Sequence, residues 1–72
     1  ETIDVRSLPM PLPMHTILEA LEHLPIDEAL HVYHKRIPVF LLPELHERKF
    51  SYCINEVSDA EVELLIYSDQ HV

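Results

Sequence analysis

The chain has 72 residues, 47% of them hydrophobic, and 13 acidic against 5 basic side chains for a formal charge of -8. That is one small domain over residues 1–72, apolar enough to bury a core and too acidic to favour phosphate-rich partners, so neither nucleic acid nor an anionic membrane is expected as a ligand. The longest apolar run, "IPVFLLP", falls far short of the roughly 20 residues a bilayer span needs, and the single cysteine fits a reducing, cytoplasmic setting.

No charged stretch followed by an apolar one opens the chain, so no signal peptide is expected, although a start at Glu1 leaves room for a trimmed segment. "TIDVR" alternates Ile3 and Val5 with polar neighbours, which is strand period. From Pro11 the period becomes helical: Met14, Ile17, Leu18, Leu21 and Leu24 form one stripe, and His15, Glu19, Glu22 and His23 the other side. Pro11 and Pro13 fall in the first turn, where a missing N–H costs little, and Pro25 stops the helix. "ALHVYHKR" alternates again, with Leu30 and Val32 opposite His31, Tyr33 and Lys35. "IPVFLLPELHERK" is a second helical segment; Pro43 lies too deep for a straight helix starting at Pro38, so either a turn at 38–41 with a main helix from about Leu42, or a kink, is expected. "FSYCINEVS" and "VELLIYS" read as two strands joined by the polar hairpin "SDAE".

The order β-α-β-α-β-β in so short a chain predicts an α+β fold, a two-layer sandwich with a four-stranded mixed sheet and both helices on one face. A right-handed crossover makes the first two strands parallel, and the final hairpin supplies an antiparallel neighbour. Ile3, Val5, Leu30, Val32, Val62, Leu64 and Ile66 should face the helices. Thr2, Asp4, Arg6, His31, Tyr33, Lys35, Glu63, Leu65 and Tyr67 should lie on a face that no helix covers.

The element order, with prolines opening the first helix, resembles the SirA/TusA-like sulfur-carrier superfamily. Those proteins carry Cys-Pro-x-Pro there; the matching residues are Leu8-Pro9-Met10-Pro11, so Leu8 holds the place of the reactive cysteine. The chain resembles in particular the DUF2249 branch, which typically shows an Asp-x-Arg-x-Leu-x-x-Pro start and a His-x-x-Pro-like segment after the second strand. Here these read Asp4-Val5-Arg6-Ser7-Leu8-Pro9-Met10-Pro11 and His34-Lys35-Arg36-Ile37-Pro38, and Leu21, Leu42 and the Phe50-x-Tyr52 pair also fall in expected places. Where that family usually has glycine, before the second strand and after the second helix, this chain has Asp27-Glu28 and Lys49. Lys49 is therefore expected in a left-handed backbone, at a cost of roughly 1 kcal/mol relative to glycine. The resemblance implies a fold and a site location, and does not extend to sulfur transfer by this chain, because the sulfur-bearing residue is absent.

Cys53 lies mid-strand with no basic neighbour in sequence, so a packed or half-buried structural thiol is expected rather than a reactive one. His15, Glu19 and His23 have a spacing that can chelate an ion, yet it is also what a solvated helix face presents. His31 and His34 should point to opposite sheet faces, and His46 and His71 have no partners of ligand type, so no metal or other cofactor is expected. No nucleophilic constellation can be argued, which predicts a protein that is not an enzyme.

The strand ends are more informative. Parallel strands deliver both helix starts to one end of the sheet, where open α/β sheets bind ligands. Arg6, Lys35 and Arg36, three of the five cations, end those two strands with His34 beside them, a local reversal of sign in an acidic chain. The plainer reading is that they pair with Asp4, Asp27 or Glu28. A ligand site is expected at Arg6, Leu8, Pro9, Met10, Pro11, His34, Lys35, Arg36 and Pro38. A second surface, Tyr33, Leu65 and Tyr67 on the uncovered face, is a candidate for a protein partner or a weak homodimer. The leading expectation is a binding or regulatory module for a partner protein or small anionic ligand. The alternatives are a sulfur-relay or redox-linked role using a partner's cysteine, and a metal- or haem-associated accessory domain.

Overall fold

The computed structural model describes residues 1–69. Six elements follow one another: β1 (Thr2–Asp4), α1 (Leu12–Glu22), β2 (Ala29–His34), α2 (Leu41–Glu47), β3 (Phe50–Ser58) and β4 (Glu61–Ser68). They form one four-stranded sheet in the order β1-β2-β4-β3. β1 runs parallel to β2, while β4 is antiparallel to both β2 and β3. The expected α+β sandwich is what the chain adopts, with the hairpin's second strand inserted as the antiparallel neighbour of β2.

Register explains the core. Ile3 lies opposite Val32, Val32 opposite Leu64, and Leu64 opposite Ile54, so one row of aliphatic side chains crosses the sheet. Leu30 and Ile66 make a second row, and His34 faces Val62 in a third. Ile17 and Leu21 of α1, with Leu41 and Leu45 of α2, pack on this same face in a single cluster. Removing each such aliphatic side chain from water contributes about 1.5–3 kcal/mol before entropy is set against it. Met14, Leu18 and Leu24 flank the cluster half-buried, as the helical stripe requires.

Both helices handle their prolines at the start. Pro11 takes the N-cap position of α1 after a cis Met10-Pro11 peptide, and Pro13 falls in the first turn. α2 begins at Leu41, which puts Pro43 in its first turn, so no kink is needed. Arg48 caps the end of α2, and Lys49 follows with φ of 66°, the left-handed residue expected at a position without glycine. Its N–H donates to the His46 carbonyl at 3.1 Å, closing the helix end.

Two expectations need correcting. β2 ends at His34, so Lys35 and Arg36 belong to the following bend, and Lys35 is not on the sheet face. Cys53 is exposed, not packed. β3 is an edge strand, and Cys53 lies opposite Leu65, whose side chain is on the uncovered face. Strand parity thus carries the thiol away from the helices.

Candidate functional site

The loops after β1 and β2 meet at one end of the sheet and enclose two adjoining clefts. One, of about 130 Å³, is lined by Met10, Pro13, Met14, His34 and the segment 36–41. The other, of about 140 Å³, is lined by Val5, Arg6, Leu8, Pro9, Met10, Pro13 and residues 34–36. Met10, Pro13, His34 and Arg36 are common to both. Eight of the nine residues expected there, all but Pro11, line one cleft or the other.

His34 is the one polar or charged side chain among the buried described residues, with 6% of its surface exposed. The Arg36 backbone N–H donates to its Nδ1 at 3.3 Å. A backbone N–H can only donate, so Nδ1 is the unprotonated acceptor and the neutral ring carries its proton on Nε2. Burial, and then the Arg36 charge, push the imidazole below its ordinary value of 6.5, in favour of that neutral form. Nε2 has no hydrogen-bond partner among the described residues. No unpartnered side-chain nitrogen or oxygen there is sealed from the surface, so Nε2 must open onto a cleft.

The cations divide. Arg6 is engaged by Asp4 through Nε (2.9 Å) and Nη2 (2.7 Å), and by Glu61 at 3.3 Å. It also lies 5.3 Å from the centre of the Tyr33 ring. The Arg6 hydrogen bonds hold the Asp4 carboxyl at about 2, well below the usual carboxylate range. For Arg6 the plainer reading, pairing with Asp4, is therefore the observed one. Lys35 and Arg36 are exposed and take part in no ion pair among the described residues; Asp27 and Glu28 do not reach them. None of the described Asp and Glu residues lines either cleft.

The helix starts contribute little to an anion site. The Leu12 N–H already donates to Pro9 O and the Leu41 N–H to Pro38 O, both at 2.9 Å, while Pro13 and Pro43 have no N–H. What the sequence reading missed is most of the apolar lip: Phe40 is 80% exposed and Val39 61%, beside the expected Met10 at 65%. The available signal was an apolar run, "IPVF", placed in a segment already read as a turn.

The opposite sheet face carries the second surface. Leu65 and Tyr67 are exposed, and Tyr33 is half-buried between the Arg6 guanidinium and the His31 ring, whose centre is 4.8 Å from its own. His31 meets Glu63 at 3.0 Å, and Asn55 donates to the same carboxylate at 3.1 Å. A broad, shallow recess of about 400 Å³ lies over His31, Cys53, Asn55, Glu63 and Leu65. No buried polar side chain of the described residues lines it. His15, Glu19 and His23 are exposed on α1, and no group of three or more metal-ligating His, Cys, Asp or Glu occurs among the described residues. His71 lies outside the described residues.

A family model described as "Uncharacterized conserved protein (DUF2249)" matches residues 2–68. The chain belongs to the DUF2249 family. The match runs from the first residue of β1 to the last of β4, so it takes in both clefts and the open face of this DUF2249 domain. No curated protein sequence matches the chain. None of its described helices is long and apolar enough to cross a membrane.

Proposed function

We propose that this DUF2249 domain is a non-enzymatic binding or regulatory module that works through the clefts between the β1–α1 and β2–α2 loops. The observation that carries the reading is His34: a buried imidazole whose one partner among the described residues is on Nδ1, at the junction of two clefts that no described carboxylate lines. A buried polar group ordinarily finds its partners within the protein, so one left open toward a cleft points to a ligand. Lys35 and Arg36, which make no ion pair among the described residues of a chain of charge -8, favour a small anion or an acidic group of a partner protein. The placement within the SirA/TusA-like superfamily is part of this proposal, resting on element order and on Leu8-Pro9-Met10-Pro11. Leu8 packs half-buried against the core, which gives it a structural task where those carriers have their cysteine. A cytoplasmic location also belongs to the proposal.

The test is an NMR titration with inorganic phosphate of the native protein and of the Lys35→Ala/Arg36→Ala double variant. Native amide shifts should map to residues 8–14 and 34–41 and disappear in the variant. Shifts centred on Tyr33, Leu65 and Tyr67 would move the working surface to the open face.

One observation favours a second reading. Cys53 is exposed beside the open-face recess, so a sulfur-relay or redox-linked role is sterically open to it. In such a relay a desulfurase persulfide would pass its outer sulfur to the Cys53 thiolate and keep its own thiol. Incubation with a cysteine desulfurase and cysteine, read by intact mass, decides between them. The binding-module reading expects no stable added sulfur, and an added sulfur that passes onward to an acceptor promotes the relay.

A further inference from the structure

The Arg36 N–H on Nδ1 leaves the neutral imidazole as a fixed Nε2–H donor, and that donor has no acceptor among the described residues and is not sealed from the surface. One of the two clefts that His34 lines has mostly apolar walls: Met14 and Ile37 half-buried, and Met10, Val39 and Phe40 exposed at the lip. Such a site asks for a hydrogen-bond acceptor attached to a hydrocarbon stem. The free charges at the rim belong to Lys35 and Arg36, so the acceptor that fits is anionic. About 130 Å³ limits the stem to roughly the size of one aliphatic side chain. The same tautomer argues against a metal at Nε2, because a ligating nitrogen needs a free lone pair and its ring partner usually donates, whereas here Nδ1 accepts.

We propose that the ligand of the His34 cleft is a carboxylate on a short aliphatic stem, its oxygen accepting from His34 Nε2–H and its hydrocarbon seated between Met14, Ile37 and the Phe40 lip. This rests on the cleft being the working site and adds what the site takes. A free short-chain acid and the C-terminal carboxylate of a partner ending in an aliphatic residue offer the same chemistry.

The experiment compares isovalerate, acetate, 3-methylbutan-1-ol and N-acetyl-leucine on the ¹⁵N-labelled native protein, with two-bond ¹⁵N–¹H spectra to read the His34 tautomer. His34 should be the Nε2–H form. Isovalerate should bind about tenfold or more tighter than acetate, since three further carbons leave water. It should also bind several-fold tighter than the alcohol, which lacks the charge. N-acetyl-leucine binding tighter than isovalerate assigns the carboxylate to a partner's C-terminus, and the reverse order assigns it to a free acid; either supports the ligand class. Phe40→Ala, at an exposed position that folding does not need, should weaken isovalerate and leave acetate unchanged. An Nδ1–H tautomer, or equal binding of isovalerate and acetate at the cleft, overturns the ligand class while the site stands. Shifts confined to the open face overturn the site itself.

Discussion

β2 carries two histidines three residues apart, and the sheet treats them in opposite ways. His31 points to the open face, where the Glu63 carboxylate meets its ring and Asn55 steadies that carboxylate. His34 points to the helix side, is almost wholly buried, and has one backbone partner. The first histidine has a carboxylate partner within the fold. The second is pushed toward its neutral form by burial and the Arg36 charge, and its Nε2 has no partner among the described residues. A candidate site is thus marked less by which residue occurs than by what its surroundings leave unmet.

The sharpest way to test the contrast between the faces is at neighbouring leucines of β4. Leu64 is fully buried and Leu65 is 41% exposed. Leu64→Ala should cost about 2–5 kcal/mol, enough to unfold a domain of this size, by removing contacts in the centre of the core. Leu65→Ala should cost no more than about 0.5 kcal/mol. Urea denaturation of the two variants measures the difference. Similar losses would mean that something covers the open face in solution.

The next largest effect is in pH dependence, and it isolates His34. Folding lowers the pKa of this base below 6.5, so in the window just under 6.5 the unfolded chain binds more protons than the folded one. Stability therefore rises with pH through that window; the contribution is complete above 6.5 and is lost as pH falls through the folded value. The charged groups facing the ring are Arg36 and, across the second cleft, Lys35 and Arg6; Asp4 and Glu61 offset Arg6, and no described carboxylate lines the clefts beside the other two. His34→Phe keeps the ring volume and removes the titration. The difference in denaturation midpoint between native and variant protein should change between about pH 5 and 7 and level off above it. A constant difference would show that folding does not shift the His34 pKa.

Much of this molecule was legible in its sequence because period and proline placement report backbone geometry directly. Ile3, Val5, Leu30, Val32, Val62, Leu64 and Ile66 turn toward the helices as alternation requires, and the four strands and two helices fall in the expected order. Lys49 shows that even a strained position can be read, since a helix end without glycine has to place some other residue at positive φ. Replacing Lys49 by Gly should stabilise the domain by up to about 1 kcal/mol, measured by thermal denaturation. The site was legible only in part. The sequence brings Arg6, Lys35 and Arg36 to one end of the sheet and offers Asp4 as a partner for Arg6, but not the Glu61 carboxylate that also engages it. Nor could spacing show that Val39 and Phe40 stand outward, because an apolar run has no polar face to orient it. Cys53 was misjudged because exposure in a strand depends on which neighbour it gains and which face the helices leave bare.

The smallest expected change in stability belongs to the residues with the greatest expected effect on binding. Lys35 and Arg36 are exposed, follow the end of β2, and make no ion pair among the described residues. Replacing both side chains by Ala leaves the Arg36 backbone N–H free to keep donating to His34. Exposed charges of this kind contribute little to folding, so the double variant should unfold within about 0.5 kcal/mol of the native protein. It should nonetheless lose its response to phosphate, because the two charges that oppose the domain's overall negative field have gone. Arg6 supplies the control. Arg6→Ala removes a cation that Asp4 and Glu61 already engage, so it should reduce the phosphate response far less. Equal losses in the two variants would mean that net charge, and not the unpaired pair at the cleft, governs anion binding.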